Sequence, residues 1–135
     1  MNALGGAMNS GNVVGIGLDA VDVIRFRDVL ARTPTMRARC FTPGELAYAD
    51  EARDPTERLA VRFAAKEAVM KAFGVGLGAF GFHDCEVVRD DSGQPQVVLS
   101  GKALELMQSQ SVGRLLISLT HTSVTAQAIV IALSA

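Results

Sequence analysis

Apolar residues along the chain fall into short continuous runs and one long spaced run, and the two patterns predict different elements. Val13-Val14-Gly15-Ile16-Gly17-Leu18 is a continuous run with the length of a buried strand. Over 21–31 the spacing becomes helical, with Val21, Ile24, Val29 and Leu30 on one stripe, and Thr33-Pro34 ends it. Thr42-Pro43-Gly44-Glu45 supplies a candidate N-cap, a proline for the first helical position and a glutamate that completes a capping box, so 43–50 is expected to be a short helix. After a polar loop through Asp54-Pro55, the longest helical pattern covers 56–73 and stops against Gly74, Gly76, Gly78 and Gly81. Strands are expected at 85–89 and 96–99, around the hairpin signal Asp90-Asp91-Ser92-Gly93. A short helix over 102–108 follows, then strands at 115–119 and 126–133 around the polar segment Thr120-His121-Thr122-Ser123. Residues 1–12 are small, Gly-rich and without period, and predict a flexible lead-in to a single domain over 13–135. Helices mixed with mostly antiparallel strands indicate an α+β fold.

Composition narrows the class. A chain of 135 residues that is 49% hydrophobic forms one domain, able to bury roughly 68–70% of its unfolded surface, which excludes disorder. Thirteen basic residues against fourteen acidic ones leave a net charge of −1, too little positive field for a nucleic-acid coat. No apolar run reaches the roughly 18–20 residues of a membrane span, and residues 1–11 lack the pattern of a signal peptide. Cys40 and Cys85 share no motif spacing and suit reduced thiols. The expectation is a cytoplasmic protein without nucleic-acid or membrane partners.

The long helix carries most of the chemistry. Placed at about 100° per residue, Leu59, Phe63, Val69, Met70 and Phe73 form one apolar arc, and Arg62 and Lys66 stand inside it. Glu67 and Lys71 lie beside or among alanines. Burying an unpaired charge costs several kcal/mol, so such charges are paired or ligand-bound. Two arrangements meet that condition: a Glu67–Lys71 (i, i+4) bridge with two snorkelling cations, or a site that holds an anion.

Gly15-Ile16-Gly17-Leu18-Asp19 also admits two readings. The glycines allow close approach to the backbone and Asp19 offers a ligand for a hard cation, or Asp19 simply caps the next helix. With Ala20 the string matches G-x-G-x-x-A, which raises the alternative of a nucleotide-binding module of Rossmann type; Thr33-Pro34 stands where that unit needs its second strand. His121 is either a satisfied turn residue or a phosphate or base contact. With His83 as the only other histidine, no zinc site is expected. Asp19 and Glu67 as carboxylates, with Arg62, Lys66 and Lys71 as cations, form a plausible kit for Mg²⁺-assisted phosphoryl transfer without a Walker loop.

Gly15-Ile16-Gly17-Leu18-Asp19 leading to Arg25, Phe41-Thr42-Pro43-Gly44-Glu45-Leu46, the block from Arg62-Phe63-Ala64-Ala65-Lys66-Glu67 to Phe73-Gly74, and Ser118-Leu119-Thr120-His121-Thr122 together resemble the holo-acyl-carrier-protein synthase family. These are small, bacterial-type 4′-phosphopantetheinyl transferases. The likeness runs in family order over 13–133. It implies a phosphopantetheinyl-transferase-like α+β fold, with a mostly antiparallel sheet and one long central helix, assembled as a trimer with sites between subunits. It implies Mg²⁺-dependent transfer of the phosphopantetheine arm of coenzyme A to a serine of an apo acyl carrier protein or of a carrier domain of a fatty-acid synthase. By position, Asp19 and Glu67 match metal carboxylates, Glu67 is also the candidate base, and Lys71 matches the lysine near the pyrophosphate. Arg62, Lys66, Gly74, Pro95, Thr120, His121 and Thr122 match the coenzyme A site, with Pro95 near the adenine. Arg25, with Arg27 and Arg32, matches the basic first helix that meets the acidic carrier. Gln94 departs from the lysine common in relatives, and the Gly-rich stretch 74–81 is looser than in some.

Overall fold

The computed structural model describes residues 11–135; most of the lead-in expected over 1–12 therefore lies outside the described residues. Strand β1 (Val13–Asp22) is followed by helices α1 (Val23–Arg32), α2 (Met36–Cys40), α3 (Pro43–Ala49) and α4 (Thr56–Ala72). A 3₁₀ turn (Phe82–Asp84) leads into the hairpin of β2 (Cys85–Arg89) and β3 (Pro95–Leu99), then α5 (Gly101–Ser109), β4 (Val112–His121) and β5 (Thr125–Ser134). The last strand inserts between the others, so the main sheet has the order β1-β5-β4, antiparallel throughout. Among the described residues no strands pair in parallel, which removes the Rossmann-type alternative: α1 leads to three further helices, and its crossover reaches no parallel partner.

α4 sits between two clusters of buried side chains. One side packs its alanines, Ala64, Ala65 and Ala68, against Ala128, Val130 and Ala132 of β5. The other packs Leu59, Ala60 and Val61 against Val23 and Phe26 of α1 and Phe41. Small side chains allow this double contact, because helix and sheet backbones can approach closely only where side chains are short. The closest approach explains the paired glycines. A Cβ on Gly17 would lie 1.8 Å from the Ala68 carbonyl oxygen, and one on Gly15 would lie 2.0 Å from that of Ala72. These glycines admit a helix, not a ligand, to the backbone of β1.

Where element boundaries depart from expectation, the reasons are physical. β1 continues past Leu18 because its ladder with β5 runs on from Asp19 opposite Ala128 to Asp22 opposite Thr125, and the partner strand supplies hydrogen bonds whatever the side-chain polarity. Asp22 therefore caps α1, accepting from the Arg25 amide at 3.0 Å, and Asp19 caps nothing. α2 shows no amphipathic stripe in the sequence; it is a single turn inserted before the expected capping box, which forms as predicted at Thr42 and Glu45. α4 ends at Gly74 in a Schellman arrangement, with Val75 N–H bonding Met70 O and Gly74 N–H bonding Lys71 O, both at 2.9 Å. That closure needs a positive φ, here +72°, which glycine adopts without strain.

Candidate active site

The close contact of β1 with α4 places Asp19 next to Glu67 and Lys71. Lys71 donates to Asp19 Oδ1 at 3.1 Å and to Leu18 O at 2.9 Å, so its ammonium is turned to the strand and not to an i, i+4 bridge with Glu67. Burial raises the pKa of Glu67 above its ordinary value; the Asp19 charge and a hydrogen bond with Asp19 raise it further, and Lys71 opposes them. Two carboxyl groups thus share a half-buried space with one cation. Their excess negative charge is what a divalent cation would relieve. A pair of carboxylates fits an ion that takes one or two of them and completes its shell with water and phosphate, as Mg²⁺ does. Glu67 borders two cavities: one of ≈ 440 Å³ reaching Asp19, Arg25, Phe26 and Phe63, and one of ≈ 200 Å³ reaching Lys71, Val75 and Leu77.

Arg62 and Lys66, the two cations of the apolar arc, are both buried, and the structure resolves them differently. Lys66 Nζ donates to Glu45 Oε1 at 2.8 Å, Phe82 O at 2.8 Å and Cys85 O at 2.6 Å. Its three donors are thus all taken up inside the chain. Arg62 is 3% exposed. Its guanidinium carbon lies 4.4 Å from the centre of the Tyr48 ring, and Arg58 at 4.3 Å and Arg89 at 5.5 Å crowd the same ring. Burial lowers the Arg62 pKa from its ordinary value. Arg62 Nε is buried without a hydrogen-bond partner among the described residues. This cluster borders a ≈ 240 Å³ cavity also lined by Gly44 and Glu86, a cationic recess fit for an anionic ligand.

The remaining expected residues lie apart. His121 Nδ1 is 2.9 Å from Glu57 Oε1 at the start of α4, and ten helical residues separate Glu57 from Glu67, roughly 15 Å along the axis. Thr120 opens on the outer face of the main sheet, beside Leu18 and Gln127. Thr122 Oγ1 accepts from the Val124 and Thr125 amides and shapes the β4–β5 turn. Pro95 borders a different recess with Arg114 and Ile117. On α1, Arg25 and Arg32 are spaced i, i+7 on one exposed face, whereas Arg27 turns away and pairs with Asp54 at 2.9 Å.

Several residues of the site were not singled out from the sequence. Tyr48, Arg58 and Arg89 come from α3, α4 and β2, and their convergence has no local signal. Glu45 carries a capping-box signal, which hides its second role as the partner of Lys66. Both cysteines are buried and free; burial pushes the Cys85 thiol up to about 12, which leaves it a packing residue and not a nucleophile.

A family model described as the 4′-phosphopantetheinyl transferase superfamily matches residues 15–129. A holo-[acyl-carrier-protein] synthase from Moorella thermoacetica is 42% identical over 113 residues, covering 84% of this chain and 88% of the relative. Among solved structures, holo-[acyl-carrier-protein] synthase from Neisseria meningitidis superposes with a TM-score of 0.82 at 32% identity, covering 90% of this chain and 98% of that one. A holo-(acyl-carrier-protein) synthase from Bacillus anthracis, in complex with CoA (3′,5′-ADP), gives a TM-score of 0.76 at 32% identity, covering 91% and 98%.

Proposed function

Because the chain belongs to the 4′-phosphopantetheinyl transferase superfamily, we propose that it moves the 4′-phosphopantetheine arm of coenzyme A to a serine of an apo acyl carrier protein or carrier domain, releasing adenosine 3′,5′-bisphosphate. The observation that carries this reading is the convergence of Asp19, Glu67 and Lys71 where two cavities meet. Glu67, whose proton affinity is raised, takes the proton of the carrier serine as its oxygen bonds to the pantetheine-side phosphorus. The phosphorus–oxygen bond to the nucleotide phosphate breaks, and Lys71 leaves Asp19 to stabilise or protonate that leaving group. Asp19 and Glu67 would hold Mg²⁺, which when bound draws charge from the pyrophosphate oxygens.

The nucleotide half is assigned to the recess at Tyr48, where Arg62 supplies an unpartnered N–H and Arg89 a further cation. Arg25, on the rim of the larger cavity, and Arg32 on the same helix face are the proposed contacts for an acidic carrier. Arg27 is held by Asp54 and belongs to this surface only at its edge.

Assembly as a homotrimer is part of the reading. Ile16 and Leu18 are 60% and 59% exposed on the outer face of β1, and Leu116 (42%) and Ile129 (37%) continue that face across the sheet. An apolar sheet face of this kind suits contact with another copy. A neighbouring copy would also bring Pro95, Thr120 and His121, remote from Glu67 within one chain, toward a shared site. The free, buried cysteines suit a cytoplasmic enzyme.

The test mixes the protein with coenzyme A, Mg²⁺ and several apo carrier proteins and weighs the carriers intact. Gain of a phosphopantetheine mass is expected. No gain with any carrier removes the reading. Sedimentation equilibrium should return three copies, and a monomer at assay concentration would separate the shared-site arrangement from the chemistry.

A further inference from the structure

The ion pair of Glu45 and Lys66 is 0% exposed at both side chains. It is also fully satisfied. Glu45 Oε1 accepts from Lys66 Nζ at 2.8 Å and the Thr42 amide at 2.9 Å, and Oε2 accepts from the Val87 amide at 2.8 Å. Lys66 gives its other two donors to Phe82 O and Cys85 O. One pair therefore ties three elements: the start of α3, the entry to β2 and the middle of α4. These same three elements wall the recess at Tyr48: Gly44 and Tyr48 from α3, Glu86 and Arg89 from β2, and Arg62 from α4. Thr42 Oγ1 adds a tie of its own, donating to Glu86 Oε2 at 2.6 Å.

A buried ion pair adds little stability over an apolar pair of similar volume, because the desolvation of both charges offsets their attraction. Directional bonds do what apolar contact cannot, which is to set the distance and angle between the elements they join. We infer that Glu45 and Lys66 are positioning residues that set the nucleotide-side wall of the site, acting through Tyr48, Arg62 and Arg89, and that binding of the nucleotide half of coenzyme A depends on this pair. The inference rests on the proposed function, which assigns the nucleotide to this recess. The reacting centre is held separately, by the seating of Gly15 and Gly17 on α4, so the pair is expected to govern binding more than turnover.

Two variants test this: Glu45→Gln, and the double variant Glu45→Leu with Lys66→Met, which replaces the pair by apolar side chains and keeps the interior filled. Coenzyme A binding is measured by calorimetry, and kcat and KM by carrier mass, at a temperature where circular dichroism shows each variant folded. Both variants are expected to raise the Kd and KM for coenzyme A about tenfold or more while kcat stays within about threefold. A folded double variant with the wild-type Kd would overturn the inference, leaving the pair a packing device. A fall in kcat as large as the rise in Kd would also overturn it, because the pair would then act on the reacting centre. If neither variant folds, the pair determines folding and not the shape of the site, and the inference fails. Absence of coenzyme A binding by the unmodified protein would instead refute the functional reading on which it rests.

Discussion

Lys66 and Glu67 are neighbours on α4, yet they belong to opposite kinds of charged centre. Lys66 meets Glu45 in a fully enclosed pair in which every donor and acceptor is used. Glu67 meets Asp19 and Lys71 in a half-open cluster with two carboxyl groups for one ammonium, and burial, with the neighbouring Asp19 charge, raises the Glu67 pKa. Both centres combine carboxylate and lysine. The difference lies in saturation. A centre with all valences met inside the chain can only hold structure, whereas one left with surplus charge and open space can bind and react.

The comparison breaks first if the enclosed centre can lose a charge without harm. Lys66→Met leaves Glu45 buried without its counter-ion and should lower stability by about 3–5 kcal/mol in denaturant titration. A loss below about 1 kcal/mol would mean that the enclosed pair does not hold these elements together. The open centre should respond in the opposite sense. Glu67→Gln is expected to cut carrier modification by about 10²–10³ with little change in melting temperature, and a stability loss matching that of Lys66→Met would erase the distinction.

Gly17→Ala sharpens the contrast from the backbone side. Its Cβ would meet the Ala68 carbonyl, so β1 must lift from α4. The expected loss is about 1–3 kcal/mol, with weaker activity because Asp19 moves with the strand. The smallest effect is expected at an ordinary surface pair. Asp54 accepts from the Thr56 amide and from Arg27, and these bonds, with Thr56 foremost, hold its pKa below the ordinary 3.8. A carboxylate with a lowered folded pKa stabilises above its unfolded value and loses that contribution as pH falls through the folded one. Exposed as it is, Asp54→Asn should cost at most about 1 kcal/mol at neutral pH, and the difference from the unmodified protein should vanish in acid melts.

Much of the fold was legible because its signals are local. The capping box at Thr42 and Glu45, the glycine stop after α4 and the Asp90–Gly93 turn each depend on residues within a few positions of one another. The strand ends were less legible, since β1 and β4 run past their apolar cores wherever β5 offers a backbone partner. The site divides along the same line. Asp19, Glu67, Arg62 and Lys71 stood out by motif or by misplaced charge. Tyr48, Arg58 and Arg89 did not, because each is an ordinary residue in its own segment.

The sequence by itself determined that charged residues lie inside the long helix, that they must be satisfied, and that the motifs around them resemble phosphopantetheinyl transferases. Only the tertiary structure decided which charge is satisfied by what. Lys66 faces Glu45 across α3, so it is spent, while Arg62 keeps an unpartnered N–H beside Tyr48. Likewise the two glycines of β1 look in sequence like a place where a ligand can approach the backbone and prove in three dimensions to be the seat of α4. Helical periodicity reports that a side chain points inward. The identity of its partner depends on the packing of segments distant in the chain, and no local pattern encodes that.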